Sequence, residues 1–299
     1  MKAKININFK SDCNLKTLYS INHIIKSHFG KKPNQSVKLT GGDINDVYHV
    51  IFQEKSVVIK INNNKSLPQL FEKEKQGLEL LSKSTFIVPK HIKTGSIDNL
   101  QYLIMDHIEQ GSELNWAVFG EKLAQLHQIE GNYFGLDHNN YIGSLEQNNK
   151  EIKEWSEFYT NNRLLALTGK ARDQGLFEKK HCLWVEKLCQ RLDILIPPCN
   201  PSLIHGDLWS GNLLIHTSGY PVLIDPAVYY GHPEMDWAML SLFGSYPEEA
   251  MDGYLNVNPL EKGLNGRIDI HQLYPLLVHL ILFGSGYLSR VESTLKKYA

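Results

Sequence analysis

The chain has 299 residues, enough for one large domain or for two lobes with a substantial hydrophobic core. A hydrophobic content of 42% and a charged content of 21% are ordinary for a soluble globular protein. The formal net charge of −1 provides no overall basic field, so composition argues against nucleic acid or an anionic membrane as a partner.

Further sequence features favour a protein of the reducing cytoplasm. The first ten residues lack the apolar run of a signal peptide. The longest apolar stretch, 273–283, is interrupted by Pro275 and His279, is too short to span a bilayer and indicates a core helix. The cysteines contain no C-x-x-C pair and are better explained as buried thiols than as disulfides or metal ligands. They are Cys13, Cys182, Cys189 and Cys199.

The first third of the chain alternates between helix and strand patterns. Apolar residues at helical spacing predict a helix over 14–29 and a second helix over 67–82. The segment 37–62 contains three strand-like runs separated by turn residues, and it predicts three antiparallel strands. Two more strands are expected around 89–94 and 100–105, which gives a small lobe built on a sheet.

The composition changes from apolar to polar near residues 105–111, and we expect a lobe boundary there. The prediction is an N-terminal lobe over 1–106 and a C-terminal lobe over 107–299. A linker backbone at such a boundary could pair with the edge of an adenine ring. The nearest candidates for this pairing are Met105, Asp106 and His107.

Two features of the predicted sheet suit phosphate binding. Gly41 and Gly42 stand at a strand-to-strand turn, where backbone N–H groups can approach phosphate oxygens, although an ordinary hairpin turn would look the same. Lys60 stands in the apolar strand V-V-I-K, where a charge is unexpected unless it reaches solvent or meets phosphates and a carboxylate. Candidate carboxylate partners on the second helix are Glu72, Glu74 and Glu79.

The chain beyond the linker is mostly helical in pattern. His127 lies on an apolar helix face and is best explained as a satisfied core histidine. A polar and aromatic loop over 134–149 is either a sugar-binding segment or a surface connection. Asp236 falls in the first turn of a later helix, where a carboxylate can meet the helix dipole or cap nearby backbone N–H groups, and we expect a structural role for it. The sugar-binding candidates of the loop are Tyr141, Gln147 and Asn148.

The stretch 203–227 contains the groups most suited to catalysis. It reads as two short apolar strands preceded by a polar loop that holds Asp207 and Asn212, and its second strand is expected to end on Asp225. Phosphoryl transfer from ATP needs a carboxylate that takes the acceptor proton, followed by an amide oxygen and a second carboxylate that hold metal ions.

The order of these parts predicts a bilobal, protein-kinase-like α+β fold with ATP between the lobes. Other chemistries fit less well. Ser210 near His205 and Asp207 suggests a hydrolase, but no G-x-S-x-G is present. No H-E-x-x-H supports zinc, and no G-x-x-x-x-G-K-[ST] supports a P-loop enzyme. A catalytically inactive kinase-like scaffold stays open as a second class of function.

Several motifs resemble the fructosamine kinase (ketosamine-3-kinase) family, within the aminoglycoside phosphotransferase and choline kinase branch of kinase-like folds. They span nearly the whole chain, and the D-L-W-S-G-N and D-P-A-x-Y-Y-G-H parts single out this family. The matching segments are G-G-D-I-N (41–45), V-V-I-K (57–60), F-E-K-E-K-Q-G-L (71–78), F-G-L-D-H-N-N-Y-I-G (134–143), H-G-D-L-W-S-G-N (205–212) and D-P-A-V-Y-Y-G-H-P-E-M-D-W-A-M (225–239).

The resemblance implies ATP-dependent phosphorylation of the 3-hydroxyl of a ketosamine, with magnesium as the metal. The product of this reaction releases the amine, so the family is linked to protein deglycation. The acceptor could be free or protein-bound. Aminoglycosides and other small hydroxylated metabolites stay open as alternative acceptors.

The resemblance also implies roles for individual residues. Asp207 corresponds to the catalytic base, and Asn212 with Asp225 to the magnesium ligands. Lys60 would contact the phosphates and pair with Glu74. The segment expected to cover the triphosphate is Gly41, Gly42, Asp43, Ile44 and Asn45, and the sugar-side contacts expected are Trp209, Tyr229 and His232.

Two positions depart from the family pattern. Some relatives carry a redox-sensitive cysteine in the glycine loop, where this chain has Asp43, so we expect no such switch here. Pro233 stands where relatives frequently have a basic residue, which could alter contacts with the substrate.

Overall fold

A computed structural model of the chain describes residues 15–39, 44–52, 55–97 and 99–298. The chain packs as two compact units. The first comprises 1–65 with 92–107, and the second comprises 66–91 with 108–299.

The described part of the first unit is one helix and a sheet. Its elements are α1 (Leu15–Phe29), β1 (Gln35–Leu39), β2 (Asp46–Ile51), β3 (Ser56–Asn62), β4 (His91–Ile97) and β5 (Leu100–Asp106). The second unit is mainly helical. The first helix of the second unit is α2 (Leu70–Leu81), and the helices that follow are α3 (Trp116–His127), α4 (Trp155–Phe158), α5 (Ala166–Asp173), α6 (Lys179–Cys189), α7 (Leu192–Leu195), α8 (Glu234–Leu240), α9 (Glu248–Leu255), α10 (Leu264–Phe283) and α11 (Leu288–Tyr298).

Short strands and turns complete the second unit. The strands are β6 (Asn140–Ile142), β7 (Leu145–Gln147), β8 (Ser202–Ile204), β9 (Leu213–Ile215), β10 (Pro221–Leu223) and β11 (Tyr229–Gly231). A π-helical segment, Tyr159–Leu165, joins α4 to α5, and 3₁₀ turns cover Ser210–Asn212 and Ser285–Tyr287.

The sheet of the first unit has the strand order β1-β2-β3-β5-β4. β3 pairs antiparallel with β2 on one side and with β5 on the other. The apolar face of α1 buries Ile21, Ile24 and Ile25 in a cluster with sheet residues such as Val50 and Ile59. The predicted helix over 14–29 and the three predicted antiparallel strands are therefore confirmed, with α1 beginning at Leu15.

The structure divides the chain differently from the expected lobes 1–106 and 107–299, because α2 groups with the second unit. The reason is close packing. A Cβ built on Gly77 would lie 3.1 Å from the side chain of Pro226 and 3.5 Å from that of Val228. Glycine therefore lets the helix approach the chain just beyond Asp225.

Strand pairing in the catalytic region differs in two respects from the sequence-based expectation. β9 and β10 form the expected pair of short strands, but β10 ends at Leu223, so Asp225 lies beyond the strand. In addition, β8 and β11 pair antiparallel, with Ile204 opposite Tyr229. β8 and β11 pair across the intervening loop and hairpin, a long-range contact that no local sequence pattern shows, so they were not predicted.

Two expectations from composition can be compared with the described residues. No helix in the described ranges is long and apolar enough to cross a membrane. Cys182, Cys189 and Cys199 are free thiols, and Cys13 lies outside the described residues. Burial raises the pKa of Cys189 to about 11 and that of Cys199 to about 12, as expected for unreactive thiols.

A buried ion pair joins α8 to α10. Glu234 accepts hydrogen bonds from Arg267 Nη2 at 2.5 Å, Arg267 Nε at 3.0 Å and His271 Nε2 at 3.0 Å. Burial raises the pKa of Glu234, but the hydrogen bonds from His271 and Arg267 outweigh burial and lower it from 4.5 to about 2. Glu234 is therefore ionised in the folded protein at neutral pH.

The Glu234→Gln variant should unfold more easily than the wild type at pH 7, by about 3 kcal/mol, because Arg267 loses its buried carboxylate partner. A lowered pKa in the folded state adds stability above pH 4.5, which is lost as the pH falls through about 2. The Tm difference between the two proteins should therefore narrow as thermal unfolding is measured from pH 7 towards pH 3.

The matched control is Asp173→Asn, which removes an exposed carboxylate 2.8 Å from Arg172. It should change the stability by less than about 0.5 kcal/mol at every pH. An equal Tm loss for Glu234→Gln at pH 7 and pH 3 would contradict the ion-pair explanation.

Candidate active site

The loop between β8 and β9 is held by the ring of His205. Burial lowers the pKa of this histidine, so the ring is neutral. Its Nε2 donates to the carbonyl of Ile224 at 2.9 Å, and its Nδ1 accepts from the backbone N–H of Asp207 at 3.2 Å. One side chain thereby fixes both the β8–β9 loop and the segment after β10.

Asp236 also holds the β8–β9 loop. Its carboxylate is fully buried and accepts from the backbone N–H of His205 at 2.7 Å and of Gly206 at 3.0 Å. His127 lies 3.3 Å from Asp236 through Nε2 and 2.8 Å from the hydroxyl of Tyr254 through Nδ1. The predicted structural role of Asp236 is confirmed, although it binds N–H groups of the β8–β9 loop rather than those of its own helix. The prediction that His127 is a satisfied core residue is confirmed.

Asp207 and Asn212 are hydrogen-bonded to each other. The amide nitrogen of Asn212 donates to the backbone carbonyl of Asp207 at 2.9 Å and to its Oδ2 at 3.0 Å. Burial and, next, the negative charge of Asp225 raise the pKa of Asp207 to about 7, while the Asn212 hydrogen bond acts in the opposite direction. Two carboxylates thus compete at this position, a conflict that a cation would relieve.

Asp225 has a left-handed backbone conformation, with φ of 55°. Residues other than glycine rarely adopt it, and such strain persists when the surroundings fix the chain. The Ile224 N–H donates to the Asn212 carbonyl at 3.1 Å, and the Ala227 N–H donates to the His205 carbonyl at 3.0 Å. These bonds tie both sides of Asp225 to the catalytic loop.

The chemistry of these groups suits a hard divalent cation. Because Asn212 uses its amide nitrogen to hold Asp207, its Oδ1 is the atom that could bind a metal. Together with the carboxylate of Asp225 this gives a set of oxygen donors. Mg²⁺ prefers such donors, whereas zinc prefers nitrogen and sulfur.

A second group in the described residues has the spacing of a metal site. Ligand atoms of His232, Glu234 and His271 lie within 4.8 Å of one another. Both carboxylate oxygens of Glu234 already accept from Arg267 and His271. The Nδ1 of His232 accepts the backbone N–H of Glu234. We therefore assign this cluster to the structural ion pair.

Lys60 lies in the middle of the first unit's sheet. Its Cα partners across the sheet are Val47 on β2 and Leu103 on β5, and its side chain is buried. Lys60, the charged residue that is unexpected in an apolar strand, therefore lies in a central strand of this sheet. Glu74 is half-buried on α2, in the second unit, and its pairing with Lys60 stays a prediction.

Only part of the segment expected to cover the triphosphate is described. Gly41, Gly42 and Asp43 lie outside the described residues. Beyond them, the amide of Asn62 donates to the Ile44 carbonyl at 3.1 Å and to Asn45 Oδ1 at 2.7 Å. The end of β3 therefore holds the chain that follows the glycine turn.

The expected adenine-binding backbone lies at the end of β5. Met105 is buried opposite Val58, and Asp106 is the last residue of the strand. The next residue, His107, stacks its ring on that of His49 with centroids 3.8 Å apart. The adenine contacts of these backbone groups stay a prediction.

The expected sugar-side contacts have different surroundings. Trp209 is half-buried, and its ring lies edge-on to the exposed ring of Phe243, with centroids 6.3 Å apart. Tyr229 and His232, by contrast, are buried in the second unit, so they have no surface to offer a sugar. Tyr229 stacks on Phe158, and His232 packs on Trp155. We correct their assignment to core residues.

Buried residues of the loop over 134–149 bind the backbone that follows Asp225. Gln147 is buried, which argues against its assignment as a sugar contact, and its amide donates to the Ala227 carbonyl at 3.0 Å. Asn140 donates to the Val228 carbonyl at 2.8 Å. The sequence signal was the concentration of amide residues in this loop, which could not show whether they face a ligand or the core.

Comparison with known proteins gives consistent matches. The model of the fructosamine kinase family matches residues 17–299. A probable ketoamine kinase of Lactiplantibacillus plantarum is 35% identical over 282 residues, covering 92% of this chain and 100% of the relative. The chloroplastic protein-ribulosamine 3-kinase of Arabidopsis thaliana is 37% identical over 267 residues, covering 86% of this chain and 80% of the relative.

A solved structure from Thermobifida fusca, assigned as a fructosamine-3-kinase, is similar to this chain with a TM-score of 0.83 at 33% identity. The match covers 93% of this chain and 97% of the other. Together with the antiparallel sheet of the first unit and the helices of the second, this similarity confirms the expected α+β, kinase-like fold.

The glycine of the H-G-D motif is required by geometry. Gly206 has φ of 79°, and a Cβ there would lie 2.2 Å from the Ala227 carbonyl oxygen. Gly206→Ala should lower the free energy of unfolding by at least about 3 kcal/mol, since a clash with backbone adds to the left-handed strain. The control is Gly219→Ala. Gly219 has a similar φ of 80°, but the atom nearest to a Cβ there is 3.4 Å away, so the free energy of unfolding should fall by only about 1 kcal/mol. If denaturant unfolding showed an equal loss of unfolding free energy for the two variants, the explanation by a backbone clash at Gly206 would be wrong.

The raised pKa of Asp207 predicts that this residue reduces stability. The unfolded carboxyl ionises near pH 3.8 and the folded one near pH 7, so its penalty grows over that range and is constant above it. Asp207→Asn should therefore raise the Tm by several degrees at pH 8 without nucleotide or metal, and the gain should vanish towards pH 4. The exposed Asp193→Asn is the control, with no expected gain. An Asp207→Asn Tm at or below the wild-type value at pH 8 would refute the prediction.

Proposed function

Because the chain belongs to the fructosamine kinase family, we propose that it is an ATP-dependent kinase that phosphorylates the 3-hydroxyl of ketosamines. The observation that carries the proposal is the joined set Asp207, Asn212 and Asp225, in which one carboxyl is shifted towards neutral pH beside a second carboxylate. Such an activity would remove sugar adducts from amines, a form of deglycation.

In this proposal Asp207 takes the proton of the acceptor hydroxyl. Asn212 donates to Oδ2 of Asp207, so Oδ1 would be the oxygen that takes the proton. A carboxylate held beside the acceptor hydroxyl can act as the general base for this proton. Asn212 Oδ1 and the Asp225 carboxylate would hold Mg²⁺, which neutralises charge on the triphosphate during a loose transition state.

The first unit would supply nucleotide contacts. We propose that Lys60 binds phosphate oxygens and that the segment 41–45 covers the triphosphate, with Ile44 and Asn45 held by Asn62. The backbone at Met105–His107 would bind adenine. Glu74 would orient Lys60. A cytoplasmic location, inferred from the cysteine pattern, is part of the same proposal.

The acceptor is proposed to be a ketosamine, free or on a protein. Trp209 stands two residues after Asp207, and an aromatic face beside the catalytic base suits the apolar face of a sugar. An aminoglycoside acceptor is the alternative that the assay must exclude, together with a scaffold role without turnover.

Activity should be measured as magnesium-dependent ATP consumption with ribulose-lysine, fructose-lysine and kanamycin as acceptors. We expect turnover on at least one ketosamine. Asp207→Asn should reduce kcat by at least about 1,000-fold with ATP binding retained, because it removes the base. Asp225→Ala should instead weaken binding of magnesium–ATP.

The outcomes separate the alternatives. Turnover on kanamycin alone would assign an antibiotic kinase, and ATP binding without turnover on any acceptor would favour the scaffold. Near wild-type turnover by Asp207→Asn would show that another group is the base. The Asp193→Asn control should keep full turnover.

A further inference from the structure

Asp225 stands in a strained turn, and the residue before it, Ile224, is held through both its backbone N–H and its carbonyl. The Ile224 N–H donates to the Asn212 carbonyl at 3.1 Å, and the Ile224 carbonyl accepts from His205 Nε2 at 2.9 Å. A left-handed φ at a residue with a side chain relaxes unless its neighbours are fixed. These bonds provide that restraint on the N-terminal side.

Two buried amides provide the restraint on the C-terminal side. Gln147 Nε2 donates to the Ala227 carbonyl at 3.0 Å, and Asn140 Nδ2 donates to the Val228 carbonyl at 2.8 Å. Only 2% of Gln147 and 4% of Asn140 are exposed. Buried polar groups without solvent contact depend on such partners, so the two amides and the turn hold each other in place.

The orientation of the Gln147 amide is set by its remaining partners. Its Nε2 also donates to Asn140 Oδ1 at 2.8 Å, and its Oε1 accepts from the Tyr274 hydroxyl at 2.6 Å. A flipped amide would direct Oε1 at two oxygens that now accept hydrogen bonds. One orientation therefore satisfies every group, and it is the one that binds Ala227.

The network continues to a buried cation. Asn149 Nδ2 donates to Asn140 Oδ1 at 2.8 Å, and Arg163 Nη2 donates to Asn149 Oδ1 at 2.9 Å. The guanidinium of Arg163 is fully buried and lies 4.1 Å from the centroid of the Tyr229 ring. Arg163 belongs to the π-helical segment Tyr159–Leu165, so the buried amides are linked by hydrogen bonds to a side chain in the core of the second unit.

We propose that Gln147 and Asn140 are positioning residues for the cation site, which act by fixing the backbone after Asp225 so that its carboxylate stays directed at the metal. The inference rests on the proposed function, which assigns Mg²⁺ to Asp225. A network with a purely structural task would change folding stability alone. A network that positions Asp225 also sets the affinity for the metal.

The test uses the full-length protein saturated with a non-hydrolysable ATP analogue and titrated with Mn²⁺ in place of Mg²⁺. Bound Mn²⁺ is obtained from the loss of the free-ion signal in electron paramagnetic resonance. Gln147→Met should weaken Mn²⁺ binding about tenfold, since substitutions behind metal ligands typically cost 10- to 100-fold in affinity. Tyr274→Phe, which removes only the hydroxyl that orients Gln147, should weaken it by roughly threefold.

The matched control is Gln272→Met. Gln272 also uses its amide to hold the second unit, donating to the Ala238 carbonyl at 3.0 Å and to Ser241 Oγ at 3.1 Å. Its loss should lower the Tm and leave Mn²⁺ affinity unchanged. The acceptor KM should stay within about twofold of wild type in the active variants, because none of these changes touches the acceptor.

The outcomes are distinct. Mn²⁺ affinity within twofold of wild type for a folded Gln147→Met overturns the inference. If that variant does not fold, Tyr274→Phe decides, and unchanged Mn²⁺ affinity in it also overturns the inference. Failure of the wild-type protein to bind Mn²⁺ would instead refute the cation site of the proposed function, and the positioning role with it.

Discussion

The central constraint in this molecule is that two half-buried carboxylates, those of Asp207 and Asp225, are held near enough for the charge of one to act on the other. Burial and the charge of Asp225 raise the pKa of Asp207 to about 7. Each carboxylate would be more stable apart, so the rest of the fold must prevent their separation. A folded protein tolerates such a conflict when it serves function, since active sites trade stability for arranged charge.

The restraints come from a small number of buried polar groups. Asp236 accepts the backbone N–H groups at the start of the catalytic loop, and the ring of His205 links that loop to the chain before Asp225. Gln147 binds the chain after Asp225. A single element would leave one side of the strained turn free, whereas contributions from a helix, a loop and a hairpin fix both sides.

Much of this arrangement could be predicted from the sequence, and the failures have physical causes. The spacing of Asp207 and Asn212 and the charge of Lys60 in an apolar strand carry chemistry that local patterns reveal. The left-handed φ of Asp225 follows from long-range hydrogen bonds, so no local pattern shows it. Tyr229 and His232 were expected as sugar contacts because their motif resembles the family, and only packing shows that they are buried.

The most direct test of the account is the position of the metal. Crystals grown with Mn²⁺ and a non-hydrolysable ATP analogue would reveal it by anomalous scattering. The account predicts a peak within about 2.3 Å of Asn212 Oδ1 and of an Asp225 carboxylate oxygen, as hard cations bind oxygen ligands. A peak among His232, Glu234 and His271, with none at Asp225, would contradict it.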